Sequence, residues 1–159
     1  MATPTYVPLG TFSVSTNTVS VTFSSIDQSY GDLCVAVTGK SFGSNLGFLQ
    51  LNSGTSNDYV SAQALAGTGI ETTSGNSSVI RLGNQTFGTD INNLVAHIMD
   101  YSETDRYKNV LSSGSNGAEL NFFTCAIWKD TSAVTSVKVD GDFASGTNVS
   151  LYGIAKVVV

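Results

Sequence analysis

The sequence predicts an all-β fold, a single antiparallel β-sandwich of the jelly-roll type with about ten strands, occupying residues 1–159 as one domain. Three observations carry this. Apolar and polar residues alternate with period two along almost the whole chain, the mark of strands buried on one face. Clusters of Gly, Asn, Asp and Ser punctuate the alternation at short intervals, where they supply positive φ and side-chain turns. No window carries a sustained 3.6-residue stripe with a cap, so helix content is expected to be a turn or two at most.

The strands are expected in order. Phe12 and Val14 open the alternation, followed by Val19, Val21 and Phe23, then Leu33, Val35 and Val37. "LGFLQL" (46–51), "DYVSAQALA" (58–66), "SVIRLG" (78–83) and "NLVAHIMDY" (93–101) continue it. The second half adds "YKNVLSS" (107–113), "ELNFFTCAIW" (119–128), "VTSVKVD" (134–140) and "VSLYGIAKVVV" (149–159). "TDINNLVAHIMD" is the best helical candidate, but its β-branched residues and the turn after it favour a strand. Stretches such as "GTGIETTSGNS" and "DGDFASGTN" read as turns. So many short strands in one domain must form two packed sheets, because a single open sheet would leave an apolar face wet.

Composition narrows function. Charged residues make up 12% of the chain, against roughly 25% in an average soluble protein. Ser, Thr, Asn and Gly supply 68 of the 159 residues and must fill turns and solvent-facing strand positions. A net charge of −5 without any Lys/Arg cluster argues against a nucleic-acid partner, which requires a basic stripe. The start "MATPTYVPLG" lacks a basic region followed by an apolar run, and no segment reaches about 18 apolar residues, so neither a signal peptide nor a membrane span is expected.

Chemistry has few places to reside. The charged stretch "HIMDYSETDRYKNVL" (97–111) holds the one histidine, His97, with Asp100, Glu103, Asp105, Arg106 and Lys108 close by. Strand alternation puts Val95, His97, Met99 and Tyr101 on one face and Asp100 on the other, so a His–carboxylate pair is not expected. The stretch reads as a hairpin with a solvated tip, Lys108 lying opposite a carboxylate. Asp140 and Asp142 in "DGDFASGTN" flank a glycine but lack the further acidic ligands of a calcium loop, and a β-bulge or turn is the expected reading. One histidine and two distant cysteines do not make a zinc site. Cys34 and Cys125 sit in the apolar runs "LCVAV" and "FFTCAIW" and are expected as buried free thiols, with a disulfide joining two strands as the alternative that spacing alone leaves open. No catalytic residue, metal or cofactor is assigned.

Taken in order, "YVPLGTFSVSTNTVSVTFSSIDQSYGDLCVAVTG", "SVIRLGN", "HIMDYSETDRYKNVLSSG" and "SVKVDGDFASGTNVSLYGIAK" resemble a family of tailed-phage virion proteins. The resemblance spans nearly the whole chain and is strongest with small proteins and fibre-end domains of phages infecting cyanobacteria and other aquatic bacteria. It implies a jelly-roll β-sandwich and a non-enzymatic structural role on a virus particle, made in the host cytoplasm. No site residue carries over from it.

Two roles follow as expectations. The first is a capsid decoration, or cement, protein on the outer shell, a homotrimer whose partner is the major capsid protein. The apolar end "AKVVV" makes Val157, Val158 and Val159 the candidate subunit interface, because exposed valines at a strand end call for cover. The second is a receptor- or carbohydrate-binding tail module, for which aromatics on loops such as Phe42 and Phe87 would speak.

Overall fold

The computed structural model describes residues 5–43, 46–54, 59–65, 69–77, 79–86, 92–115 and 121–156. Among them are twelve strands and no helix. They are β1 (Tyr6–Ser13), β2 (Thr18–Ser24), β3 (Asp32–Gly39), β4 (Leu46–Leu51), β5 (Tyr59–Leu65) and β6 (Gly69–Ser77), then β7 (Ile80–Thr86), β8 (Asn92–Ile98), β9 (Lys108–Ser115), β10 (Asn121–Trp128), β11 (Ser136–Phe143) and β12 (Asn148–Ile154). Eight strands form one sheet in the order β1-β12-β3-β8-β9-β10-β5-β6, and four form the other in the order β2-β11-β4-β7. Every pairing is antiparallel.

The all-β sandwich expected from alternation is therefore what the chain forms. The strand that alternation did not mark is β6, whose "GIETTSGNS" offers no apolar period and reads as a turn until it pairs with β5. β1 also begins earlier than Phe12, at Tyr6, because pairing with β12 holds it there.

Register explains the core. Across the large sheet, Leu33, Ile98, Val110 and Ala126 lie in one row, and Leu151, Val35, Ala96, Ser112 and Thr124 in the next. All of them are buried. The small sheet answers with Phe23, Val137 and Leu51 in one row and Val21, Val139, Leu49 and Ile80 in another. These two inner faces enclose one apolar cluster, and truncating one of its fully buried leucines to Ala would cost about 2–5 kcal/mol.

Where the core meets β10 it becomes polar: Ser112 and Thr124 are buried, and the Ser112 hydroxyl donates to the Leu82 carbonyl of β7 at 3.4 Å. Two close approaches require glycine. The ring of Phe122 lies across Gly114, and the ring of Tyr30 lies across Gly153, where a Cβ would come within 2.4 Å of the ring in each case.

Gly153→Ala would drive a methyl into the Tyr30 ring at the edge of the core. A loss of about 1–3 kcal/mol is expected, read as a lower urea midpoint at unchanged m-value.

Candidate functional site

The charged turn has the geometry of a structural corner. β8 ends at Ile98 and β9 begins at Lys108, so the stretch is a hairpin as its sequence implies. His97 sits half-buried on the outer face of the large sheet, and its cross-strand neighbours are Cys34 and Leu111, so no carboxylate registers beside it. Asp100 is turned away: its backbone N–H donates to Asp32 Oδ1 at 2.8 Å, and its carboxylate faces Arg106 at 3.8 Å. Asp105 lies closer to the same guanidinium, at 2.7 Å, and the Arg106 hydrogen bond holds its carboxyl below the usual carboxylate range.

Two residues of this stretch depart from the reading by alternation. Asp100 adopts φ 54°, which reverses the chain beyond the strand end. Tyr101 consequently leaves the face of His97 and is fully buried in the core, where its hydroxyl donates to the Asp27 carbonyl. The Val134 N–H in turn donates to the Tyr101 carbonyl at 2.8 Å. Burial pushes the Tyr101 phenol above its ordinary pKa.

Lys108, expected at a solvated tip, is fully buried. It shares its face of β9 with Val110, and its ammonium donates to the carbonyls of Glu103 at 2.6 Å, Arg106 at 2.9 Å and Thr131 at 2.8 Å. It also lies 5.8 Å from the ring centroid of Trp128, its partner in register on β10. A buried charge persists only when hydrogen-bonded, and three carbonyl acceptors match the three donors of an ammonium. Burial pulls its pKa below the ordinary value, while Asp130 and the carboxylates of the turn act in the opposite sense. Lys108 therefore ties the turn to the 129–135 loop; it is held too firmly to act as a base or nucleophile.

The remaining candidates resolve similarly. Asp140 pairs with Lys138 at 2.8 Å, and the register of β11 shifts between Asp140 and Phe143, so "DGDF" is a bulged strand rather than a calcium loop. Asp142 is buried against the backbone of Gly43. No cluster of three metal-ligating side chains occurs among the described residues. Cys34 and Cys125 are both free thiols, and they occupy one register row of the large sheet, on β3 and β10. Three strand spacings separate them, about 14 Å, beyond the roughly 7 Å that a disulfide spans. Val157, Val158 and Val159 lie outside the described residues, as does Phe87.

What the fold does assemble is a surface. On the outer face of the large sheet, the positions contributed by β12, β3, β8, β9 and β10 are almost all uncharged, with Asp32 at one strand end as the exception. Across its middle run Val95, Leu111, Phe123, Cys125 and Ile127, of which Phe123 and Ile127 are 48% and 40% exposed. At the end of β8, β9 and β10 a cleft of about 420 Å³ is lined by Asn93, Ser113, Ser115, Asn121 and Phe122 among others. Alternation alone left this face ambiguous, because "FFTCAIW" is apolar on both sides of the strand.

No protein-family model matches the chain, and no curated protein matches it. Among solved structures, a protein of unknown function from Shewanella oneidensis MR-1 aligns over 100% of this chain and 80% of its own at 11% identity, with a TM-score of 0.19. That score is too low to carry any inference about fold or function.

Lys108→Met keeps the stem and removes the buried ammonium, leaving the carbonyls of Glu103, Arg106 and Thr131 without their donor. A destabilisation of about 2–4 kcal/mol is expected, measured by chemical unfolding. The thiols should differ in reactivity at pH 8: iodoacetamide should alkylate exposed Cys125 and spare Cys34, whose pKa burial raises. The same shift fixes a sign for stability. Below the ordinary thiol value of 9.0 the Cys34 contribution is intact, and above it the unfolded chain ionises first and stability falls.

Proposed function

We propose that this chain is a non-enzymatic structural protein of a tailed-phage virion, a decoration protein that binds the major capsid protein on the outer shell as a homotrimer. The observation that carries the reading is the nearly uncharged outer face that β12, β3, β8, β9 and β10 present, a surface suited to packing against other protein. The sequence resemblance to virion proteins supports the same role. A trimer on a local threefold position of a shell would make three equivalent contacts at once, so weak uncharged contacts add up through avidity.

The strand order supports a jelly-roll reading of the sandwich. Two hairpins, β5-β6 and β9-β10, lie beyond β8 in the large sheet, and the chain passes between the sheets at every step except β5 to β6, β8 to β9 and β9 to β10. Those hairpins extend one sheet by four strands.

A second reading, a receptor- or carbohydrate-binding tail module, rests on the cleft at the end of β8–β10, whose lining joins Asn93, Ser113, Ser115 and Asn121 to apolar Leu94, Val95 and Phe122.

Quantitative mass spectrometry of purified particles separates the two. The decoration role requires stoichiometry comparable to the major capsid protein and labelling of capsids that lack tails. A handful of copies per particle, with label confined to the tail, would replace it with the tail-module reading.

A further inference from the structure

We propose that β2, the end strand of the small sheet, takes an extended segment of another protein as a fifth strand: a segment uncharged along the contact, apolar at every second residue, and carrying one bulky apolar side chain for a cleft at the end of β2. The inference goes beyond the reading above, since it concerns a different surface and stands or falls without reference to a virion.

A strand at the end of a sheet presents N–H and C=O groups along its free side, and native edges are ordinarily blunted by proline, charge or a bulge, or else covered. Three of the four sheet ends here are treated in this way. β1 carries Pro8 with a register shift after it, β6 carries Glu71 and a register shift in its pairing with β5, and β7 lies against β9, β10 and β5. β2 has none of these. Its sequence TVSVTFS holds no proline and no charge, its pairing with β11 runs without interruption from Ser20 to Ser24, and among the described strands it has no neighbour on its other side.

Apolar groups lie at both ends of this edge. Val21 is buried and Phe23 packs on the core, so Val19, two residues earlier, points to the same side, yet it is 61% exposed. Phe12 stands opposite buried Val149 and is 49% exposed. These two core-side residues flank the turn from β1 to β2. At the far end of β2, Phe23 lies across Gly10 of β1, and beside it opens a cleft of about 370 Å³ lined by Leu9, Ile26 and Leu151 together with the polar Ser25 and Asp27. An added strand would meet main-chain groups along β2 and apolar contacts at alternate positions, the combination by which strand addition gains affinity from the backbone and specificity from pockets.

The chemistry of this edge selects a foreign strand over a second copy. Antiparallel pairing of β2 with another β2 over their full length sets Ser24 against Thr18 and brings Asn17, Thr16 and Ser15 beside residues 25–27. Those side chains are polar, and the apolar cleft would stay unfilled. Each copy also carries a net charge of −5, which opposes their approach. A foreign segment meets neither obstacle. Along the strand it faces only Thr, Ser, Val and Phe, so a charge on it would find no counterpart before Asp27.

The probe is a nine-residue peptide, acetylated and amidated at its ends, in which valine alternates with threonine and a leucine near the N-terminus meets the cleft on antiparallel addition. With about nine-tenths of the full chain occupied, amide exchange within Thr18–Ser24 should slow about tenfold while that of Tyr6–Ser13 is unchanged. Methylating the backbone nitrogens of the valines in one peptide and of the threonines in another removes donors on opposite sides of the strand. One set should abolish binding and the other leave it, because only one side meets β2. Val19→Lys should abolish binding with circular dichroism and unfolding midpoint retained, whereas Phe123→Lys, exposed on the large sheet, should leave it unchanged. No slowing of exchange with the peptide at millimolar concentration, slowing in β1 in place of β2, equal effects of the two methylated peptides, or an unaffected Val19→Lys variant overturns the proposal. A chain that sediments as a dimer without peptide, and as a monomer once Val19→Lys is introduced, overturns it in favour of β2 pairing between copies.

Discussion

A sheet of eight strands lies over a sheet of four, and four strands cannot cover the inner face of eight. The side-chain pattern follows this inequality of width. Opposite β11 and β4 the inner positions of the large sheet are Leu33, Val35, Val37, Leu94 and Ile98, all buried. Further along, toward the inserted hairpins, buried Ser112 and Thr124 take their place, and β7, the last strand of the small sheet, lies against β9, β10 and β5. The Ser112 hydroxyl offsets its burial there by donating to the Leu82 carbonyl.

Charge is distributed with the same economy. Strands of the large sheet carry little of it, and much of the rest gathers at the end of the sandwich where the 99–107 turn, the loop after Ser24 and the 129–135 loop converge. There it is used for joining: Lys156 reaches Glu103 at 3.3 Å, Asp32 accepts the N–H of Asp100, and the Lys108 ammonium closes three carbonyls. The exposed ion pairs contribute little individually. The buried lysine contributes order, since its three acceptors come from two loops.

Period-two alternation made eleven of the twelve strands legible. β6 escaped because its pairing depends on β5 and not on any apolar period of its own. Lys108 illustrates a subtler failure. A lysine beside "SETDR" looks solvated, yet it stands two residues before Val110 and four before Ser112, and that spacing assigns it to the inner face. Tyr101 departs for the opposite reason: alternation does not extend past Asp100, whose positive φ turns the chain. The outer surface was hidden by "FFTCAIW", where both faces are apolar and only the register with β9 separates Phe123 and Ile127 from Thr124 and Trp128.

β12 lies between β1 and β3, so the seam of the large sheet joins residues near opposite ends of the chain, such as Tyr6 with Ile154. Such a seam is costly in time. Closing a loop of that length precedes any contact that rewards it, and β-rich topologies with long-range pairing fold in roughly milliseconds to seconds rather than microseconds. During synthesis, β1 and β3 wait on the ribosome with a gap between them one strand wide. Their unpaired N–H and C=O groups remain open to any passing strand until residue 154 has emerged. The polar, glycine-rich turns and the proline on β1 then serve the nascent chain as much as the native one, by keeping that waiting edge from recruiting the wrong neighbour.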